Sequence, residues 1–226
     1  MNAINHAATA LLLKKKWPAV PLLPLLISVQ LIEFLWAFLC LAGVEKSTTE
    51  QTVRSIADIH LDYMPYSHSV AGTVIITALC WFMLNKPLHR TAWAMPVACG
   101  VLSHIVLDLA VHVRDIAFIP GLTHVKLGSG LYGIPELALL IEMAYGTLCW
   151  WVFGGSRALL LTILGLNLAA ASFYLPEIPG PQMLLAGHPQ VFAAVILVHI
   201  VLGLSVVGFM AARDIRMNRQ ADSPGG

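Results

Sequence analysis

Charged residues are scarce in this sequence of 226 residues. Asp, Glu, Lys and Arg make up 11% of the chain, whereas a typical soluble domain has about 25%. Hydrophobic residues make up 58%, and several apolar runs are long enough to cross a bilayer. The composition therefore excludes an ordinary soluble domain and predicts an integral membrane protein.

The sequence also has no large excess of basic residues and no paired-cysteine pattern. Its formal net charge is only +1, which argues against a nucleic-acid partner. The four cysteines Cys40, Cys80, Cys99 and Cys149 lie in apolar runs without CxxC spacing, which predicts buried thiols rather than a disulfide framework. A cleavable signal peptide is not expected, because the lysines at 14–16 follow the first apolar patch instead of preceding it.

The apolar runs predict an all-α fold, a polytopic bundle of about six transmembrane helices in a single domain, 1–226. We expect the spans at 22–43, 67–85, 91–113, 135–153, 157–175 and 189–211. Residues 3–13 are too few to span and are expected at the interface or against the bundle. Polar connections are expected at 45–66 and 114–134, and a cytoplasmic tail at 212–226.

The basic residues predict the orientation, because cytoplasmic segments carry an excess of Lys and Arg. With the N-terminus inside, nine of the 13 basic residues fall on the cytoplasmic side. These nine are Lys14, Lys15, Lys16, Lys86, Arg90, Arg157, Arg213, Arg216 and Arg219. Both ends of the chain are therefore expected in the cytoplasm.

The stretch SHIVLDLAVHVRD at 103–115 places His104, Asp108 and His112 at i, i+4 and i+8 of the third predicted span. At 3.6 residues per turn, these side chains line one face of a helix. Ionisable groups within a bilayer are costly unless they are paired or bind a ligand. Imidazole and carboxylate are common zinc ligands, but a His–Asp hydrogen-bond ladder that packs helices is an equally open interpretation of this stretch alone.

Other predicted spans bring polar groups to the same depth. Glu33, His104, Asp108 and Glu142 lie five to ten residues from the outer ends of their spans, and His68 lies at the mouth of the second. At 1.5 Å per residue, all are within about 15 Å of the outer surface. This convergence favours a metal or catalytic site over helix packing alone.

Several motifs together resemble a family of bacterial membrane-bound metal-dependent hydrolases, the YdjM-type inner-membrane family. The resemblance extends more distantly to zinc-dependent phospholipase C and fungal zinc nucleases, and it covers about residues 1–150. The segments that carry it, besides Glu142, are QLIEFLW (30–36), GVEK (43–46), LDYMPYSHS (61–69), SHIVLDLAVHVRD (103–115) and KLGSGLYG (126–133). The two further spans within 157–211 carry no motif of the family.

The resemblance implies a set of metal ligands. His68, His104 and Asp108 match ligand positions of the family, and Glu33 stands where the family usually has aspartate. His112 fits the continuation of the same motif.

One further match lies near the start of the sequence. His6 matches an early GH element of the family, although Asn5 replaces its glycine, and the lysines at 14–16 put His6 on the cytoplasmic side unless 1–13 folds into the bundle. Tyr132 stands where the family often has tryptophan.

Such a site would hold a divalent metal, zinc by analogy, as one or two ions. A bound metal lowers the pKa of water toward neutrality, and a nearby carboxylate, Glu142 or Asp62, is expected to act as general base. The family resemblance implies a phosphoester or lipid head group as substrate, reached from the outer leaflet of the bacterial inner membrane.

Two other functions remain open from the sequence. The same polar groups could relay protons or bind a cation in a transporter or channel. A membrane scaffold, held together by a polar ladder without catalysis, is the third interpretation.

Overall fold

The computed structural model describes residues 1–184 and 187–221, and these are mostly helical. The helices are α1 (Ala3–Lys16), α2 (Leu22–Leu41), α3 (Val70–Asn85), α4 (Thr91–Leu109), α5 (Pro135–Phe153), α6 (Arg157–Ala169), α7 (Pro181–Leu184) and α8 (Pro189–Ala221). Four helices in this part of the chain, α2, α4, α5 and α8, are long and apolar enough to span a membrane. They are compatible with an integral membrane protein, as the composition predicts.

The predicted span bounds agree closely for α5 and less closely elsewhere. The third span ends at Leu109 rather than at 113, and α8 continues through most of the predicted cytoplasmic tail, whose last residues, 222–226, lie outside the described residues. The helices α3 and α6 are apolar but shorter, with 16 and 13 residues. Six spans therefore remain a prediction.

Two small antiparallel sheets interrupt the helical fold, which is consequently not purely α. In the first connection, β1 (Lys46–Thr49) pairs with β2 (Ile59–Tyr63). In the loop after α4, β3 (Ile116–Ala117) pairs with β4 (Lys126–Leu127). Strands this short carry too few residues for a period-two pattern to stand out in the sequence.

The first helix, α1, lies inside the bundle rather than at the membrane interface. Its side chains Ile4, Ala7, Ala8 and Leu11 are fully buried, and it packs against α2, α4, α5 and α8. The alanines present little bulk, so neighbouring helices can approach its backbone closely. Residues 1–13 thus fold into the bundle. This is the arrangement that His6 would need in order to lie near the predicted metal site.

The helices α2 and α4 pack unusually closely at Gly100, one turn before His104. A Cβ atom built on Gly100 would lie 2.0 Å from Ser28 Oγ and 2.8 Å from Ser28 Cβ. Any side chain at this position must push the two helices apart. Because α2 carries Glu33 and α4 carries His104, glycine here is needed to bring the two residues together.

We expect Gly100→Ala to lower the free energy of unfolding by about 1–3 kcal/mol, because the added methyl group overpacks a close helix contact. Thermal or detergent unfolding of the purified protein measures this. Gly165→Ala is the matched control: its added Cβ meets nothing within 4 Å, so it should be neutral or stabilising, since alanine favours a helix. Equal effects of both substitutions would contradict the close-contact argument.

Candidate metal centre

Four side chains from two helices and one loop meet at a single point. Glu33 comes from α2, His68 from the segment just before α3, and His104 and Asp108 from consecutive turns of α4. One ligand atom of each lies within 4.8 Å of the others. His68, His104 and Asp108 are buried, and Glu33 is partly exposed. Together they form a cluster that could hold a metal ion, and we call it the four-residue cluster.

The spacing of the cluster suits a tetrahedral ion. His104 Nε2 lies 3.1 Å from Asp108 Oδ2 and 3.8 Å from Glu33 Oε1, and His68 Nε2 lies 3.7 and 3.5 Å from the same two oxygens. Four ligands at about 2.0–2.1 Å from one zinc ion would be roughly 3.3–3.4 Å apart. These four of the six edges lie on both sides of that value, and all six are within 4.8 Å, so the cluster could hold one divalent ion.

The hydrogen bond of His104 orients the ring for metal binding. Its Nδ1 lies 3.2 Å from the backbone oxygen of Val29, which can only accept, so the proton of a neutral ring sits on Nδ1. The Nε2 lone pair then faces Asp108 Oδ2, and both buried atoms have no hydrogen-bond partner among the described residues. Two opposed acceptors are stable when a cation lies between them.

His68 is oriented in the same way by a chain of side chains. The hydroxyl of Ser67 donates to Glu45, a buried carboxylate that follows α2. Since that hydroxyl hydrogen is used, His68 Nδ1 donates to Ser67 Oγ over 3.1 Å, and the Nε2 lone pair points into the cluster. Glu45 and Ser67 were not predicted from the sequence as supporting residues, although both lie within motifs of the resemblance.

The charge around His68 favours a cation. His68 Nε2 lies 3.5 Å from Glu33 Oε1 and 3.7 Å from Asp108 Oδ2, and Glu45 is linked to its Nδ1 through Ser67. Two carboxylate oxygens therefore face this point of the structure, while the amino group of Met1 lies on the other oxygen of Asp108. A divalent cation between the two carboxylates would be attracted by both.

His6 lies beside the four-residue cluster. Its ring stacks on His104 with centroids 4.1 Å apart, and its Nε2 lies 3.3 Å from Asp108 Oδ1. The amino group of Met1 lies 2.6 Å from the same oxygen. Asp108 thus presents Oδ2 to the cluster and Oδ1 to the start of α1. This location makes His6 a neighbour of the site rather than a residue of the opposite membrane face.

His112 is separated from the cluster because α4 ends earlier than its sequence pattern predicts. If the helix continued, the carbonyl groups of its last turn would accept hydrogen bonds from the following turn. Here they accept from amides of the GSGLYG run instead: Ser129 N donates to Leu109 O, and Gly130 N donates to His112 O. The chain turns there, and His112 Nδ1 instead lies 3.5 Å from Asp115 Oδ1. Its ring remains close to the site as part of the wall of an adjacent cavity.

Glu142 occupies a separate, saturated position. Its carboxylate accepts hydrogen bonds from the backbone of Asn2 at 3.0 and 3.2 Å and from the Asn5 side chain. The hydroxyls of Tyr132 and Tyr174 donate to it at 3.3 and 3.0 Å. All of these groups are buried. These donors satisfy the carboxylate, which tethers α1 to α5, and the general-base role stays a prediction.

Asp62 lies on β2, exposed, and accepts a hydrogen bond from Thr48. With His68 it borders a surface depression of about 210 Å³ formed by the two small sheets. It does not belong to the four-residue cluster, so any role as a base would have to be exercised from that depression.

We expect Ser67→Ala to weaken metal affinity about 10–100-fold, the usual cost of losing a group that orients a ligand. Competition with a chromogenic chelator measures the affinity. Ser103→Ala is the control: Ser103 directly precedes His104, but among the described residues its hydroxyl donates only within its own helix, to Gly100 O. An affinity unchanged by Ser67→Ala would show that the chain through Glu45 does not orient His68.

Comparison of this chain with protein-family models, with curated proteins and with solved structures gives no match.

Proposed function

We propose that this chain is a membrane-embedded metal-dependent hydrolase that holds zinc in the four-residue cluster. The observation that carries the proposal is the meeting of two histidines and two carboxylates at one point, where His104 Nε2 and Asp108 Oδ2 are buried with no hydrogen-bond partner among the described residues. A second ion near His6 and Asp108 Oδ1 would have to displace the amino group of Met1 from that oxygen, and it would give the two-ion form of the same proposal.

When bound, the ion supplies Lewis acidity and activates water near neutral pH. The chain's own residues hold it, exclude bulk water and leave one side accessible. Glu33, with a side chain 17% exposed, and His68 line a cavity, while His104 and Asp108 close the rear of the site. A site closed behind and open in front is typical of catalytic rather than structural zinc.

The proposal extends to membrane topology and substrate. The shorter helices α3 and α6 would complete six spans, with the lysines at 14–16 on the cytoplasmic side of a bacterial inner membrane. The substrate would be a phosphoester or lipid head group, reached from the outer face. Support for these points comes from the positive-inside pattern and from the family resemblance.

The packing below the site favours a hydrolase over a transporter. The buried residues of α1 between the cluster and Lys14 are mostly aliphatic, including Ala7, Ala8 and Leu11, with Thr9 as a polar exception. Aliphatic packing opposes the passage of protons or ions toward the inner face. A polar cluster open on one side only is suited to chemistry rather than to transfer across the bilayer.

The test uses the full chain purified in detergent. We expect about one zinc or more per chain, hydrolysis of a chromogenic phosphodiester that a chelator abolishes, and recovery when zinc is added back. Metal-free protein of normal stability would contradict the metal site. Ion flux in liposomes that is lost in Glu33→Gln, without hydrolysis, would favour the transporter.

A further inference from the structure

A cavity of about 110 Å³ adjoins the four-residue cluster. Two of the cluster residues, Glu33 and His68, form part of its wall. Trp36 stands beside them, with its ring 6.1 Å from that of His68, and its buried Nε1 has no hydrogen-bond partner among the described residues. One end of the cavity is therefore polar and faces the proposed ion.

The wall formed by α8 has a different character. Phe192, Ile196, His199 and Ile200 line the cavity from positions i, i+4, i+7 and i+8 of α8. They form one stripe about 12 Å long, since a helix rises 1.5 Å per residue. The stripe is apolar except for a single imidazole.

Most of the rest of the wall is also apolar, although Asn2 and His112 contribute to it. Ile56, Ile59 and Leu61 line it from the first small sheet and its connection. Two tyrosines, Tyr132 and Tyr174, also line the cavity, but their hydroxyls already donate to Glu142. A sugar or nucleotide would leave its hydroxyl groups unpaired against these surfaces, which costs free energy. An alkyl segment would gain free energy from the same burial.

We infer that this cavity binds the head-proximal part of a membrane amphiphile, with the hydrolysable ester bond beside Glu33 and His68 and the first chain carbons along the α8 stripe. The inference rests on the proposed hydrolase function and names its substrate class. The source of the ligand is the bilayer, because α8 exposes Val198, Val201 and Leu202 outside the cavity and qualifies as a membrane span. Lipid would therefore surround the helix that forms the apolar wall.

The test compares two substrates that differ only in their chain, p-nitrophenyl decyl phosphate and p-nitrophenyl methyl phosphate. Wild-type protein should prefer the decyl ester in kcat/KM. Ile196→Trp fills the apolar wall and should lower the decyl-to-methyl ratio about tenfold, the effect of losing one or two buried methylene groups. Val198→Trp adds the same side chain to the same helix at a position 59% exposed and outside the cavity, so its ratio should stay at the wild-type value.

Binding supplies a measurement that does not depend on catalysis. Decylphosphonate has no ester bond to cleave, and it should raise the melting temperature of wild type and Val198→Trp but not of Ile196→Trp. If Ile196→Trp does not fold, Ile196→Ala enlarges the cavity and should shift preference toward branched alkyl esters. An unchanged preference in that variant would overturn the inference.

The two proposals fail in different ways. Metal-free protein that hydrolyses neither ester but is stabilised by decylphosphonate would refute the hydrolase and leave the amphiphile site standing. Metal-dependent hydrolysis with a decyl-to-methyl ratio that Ile196→Trp leaves unchanged would refute the amphiphile site and leave the hydrolase standing.

Discussion

Asp108→Asn is expected to lower the affinity for a divalent ion by at least about a hundredfold, because even residues that only orient ligands contribute 10–100-fold. Asp108 Oδ2 faces both histidines of the cluster, at 3.1 Å from His104 and 3.7 Å from His68. Asparagine has a similar shape but removes the negative charge, so the effect isolates the charge. Competition with a chromogenic chelator and metal analysis of the purified variant measure it.

Stability provides the second measurement for Asp108→Asn. A metal ion that binds only the folded state raises the melting temperature, so a chelator should lower it in wild type and leave it unchanged in the variant. Glu50→Gln is the control, because Glu50 is an exposed carboxylate that pairs with His60 outside the cluster. It should keep the metal and the response to chelator. Full metal occupancy in Asp108→Asn would rule out the four-residue cluster as the binding site.

Much of the bundle could be predicted from hydropathy. The bounds of α5 agree with its predicted span, because Pro135 begins the helix and Gly154, in a left-handed conformation with φ 75°, ends it. Glu33, His104 and Asp108 could also be identified from the sequence as candidate site residues, since ionisable groups are rare inside apolar runs. That these residues come together could be inferred only from their similar depth in the predicted spans, because the sequence does not show which faces of the helices meet.

Other features depend on contacts that a single sequence does not display. The burial of α1 arises from helices that surround it, whereas its own length and terminal lysines suggest a surface position. The early end of α4 is caused by amides twenty residues later in the chain. The helical spacing therefore could not predict that His112 lies off the helix face of His104 and Asp108. Glu45 reaches His68 only through a loop fold that brings residues 45 and 67 together.

The buried carboxylates differ in how their charges are satisfied, and this difference separates their roles. Glu142 is surrounded by donors from Asn2, Asn5, Tyr132 and Tyr174. Asp108 Oδ2, in contrast, faces imidazole nitrogens that present lone pairs when the rings are neutral. A carboxylate that has its donors needs no metal, whereas one opposed to acceptors does.

Glu142→Ala should therefore be among the most destabilising substitutions in the chain. It leaves several buried donors without an acceptor, and each costs about 1–3 kcal/mol. We expect the free energy of unfolding to fall by about 3 kcal/mol or more, with metal occupancy reduced because the start of α1 loses its tether beside Asp108. Unfolding in mixed detergent micelles and metal analysis measure both effects.

The control for this substitution is Glu136→Ala, at an exposed position in the first turn of the same helix. It should change stability little, since its carboxylate is in solvent. A general-base role for Glu142 predicts a different outcome: hydrolysis lost in Glu142→Gln while stability and metal content stay at wild-type values. That result would reassign Glu142 from tethering α1 to catalysis, because a tether cannot be removed without loosening the helix that it holds.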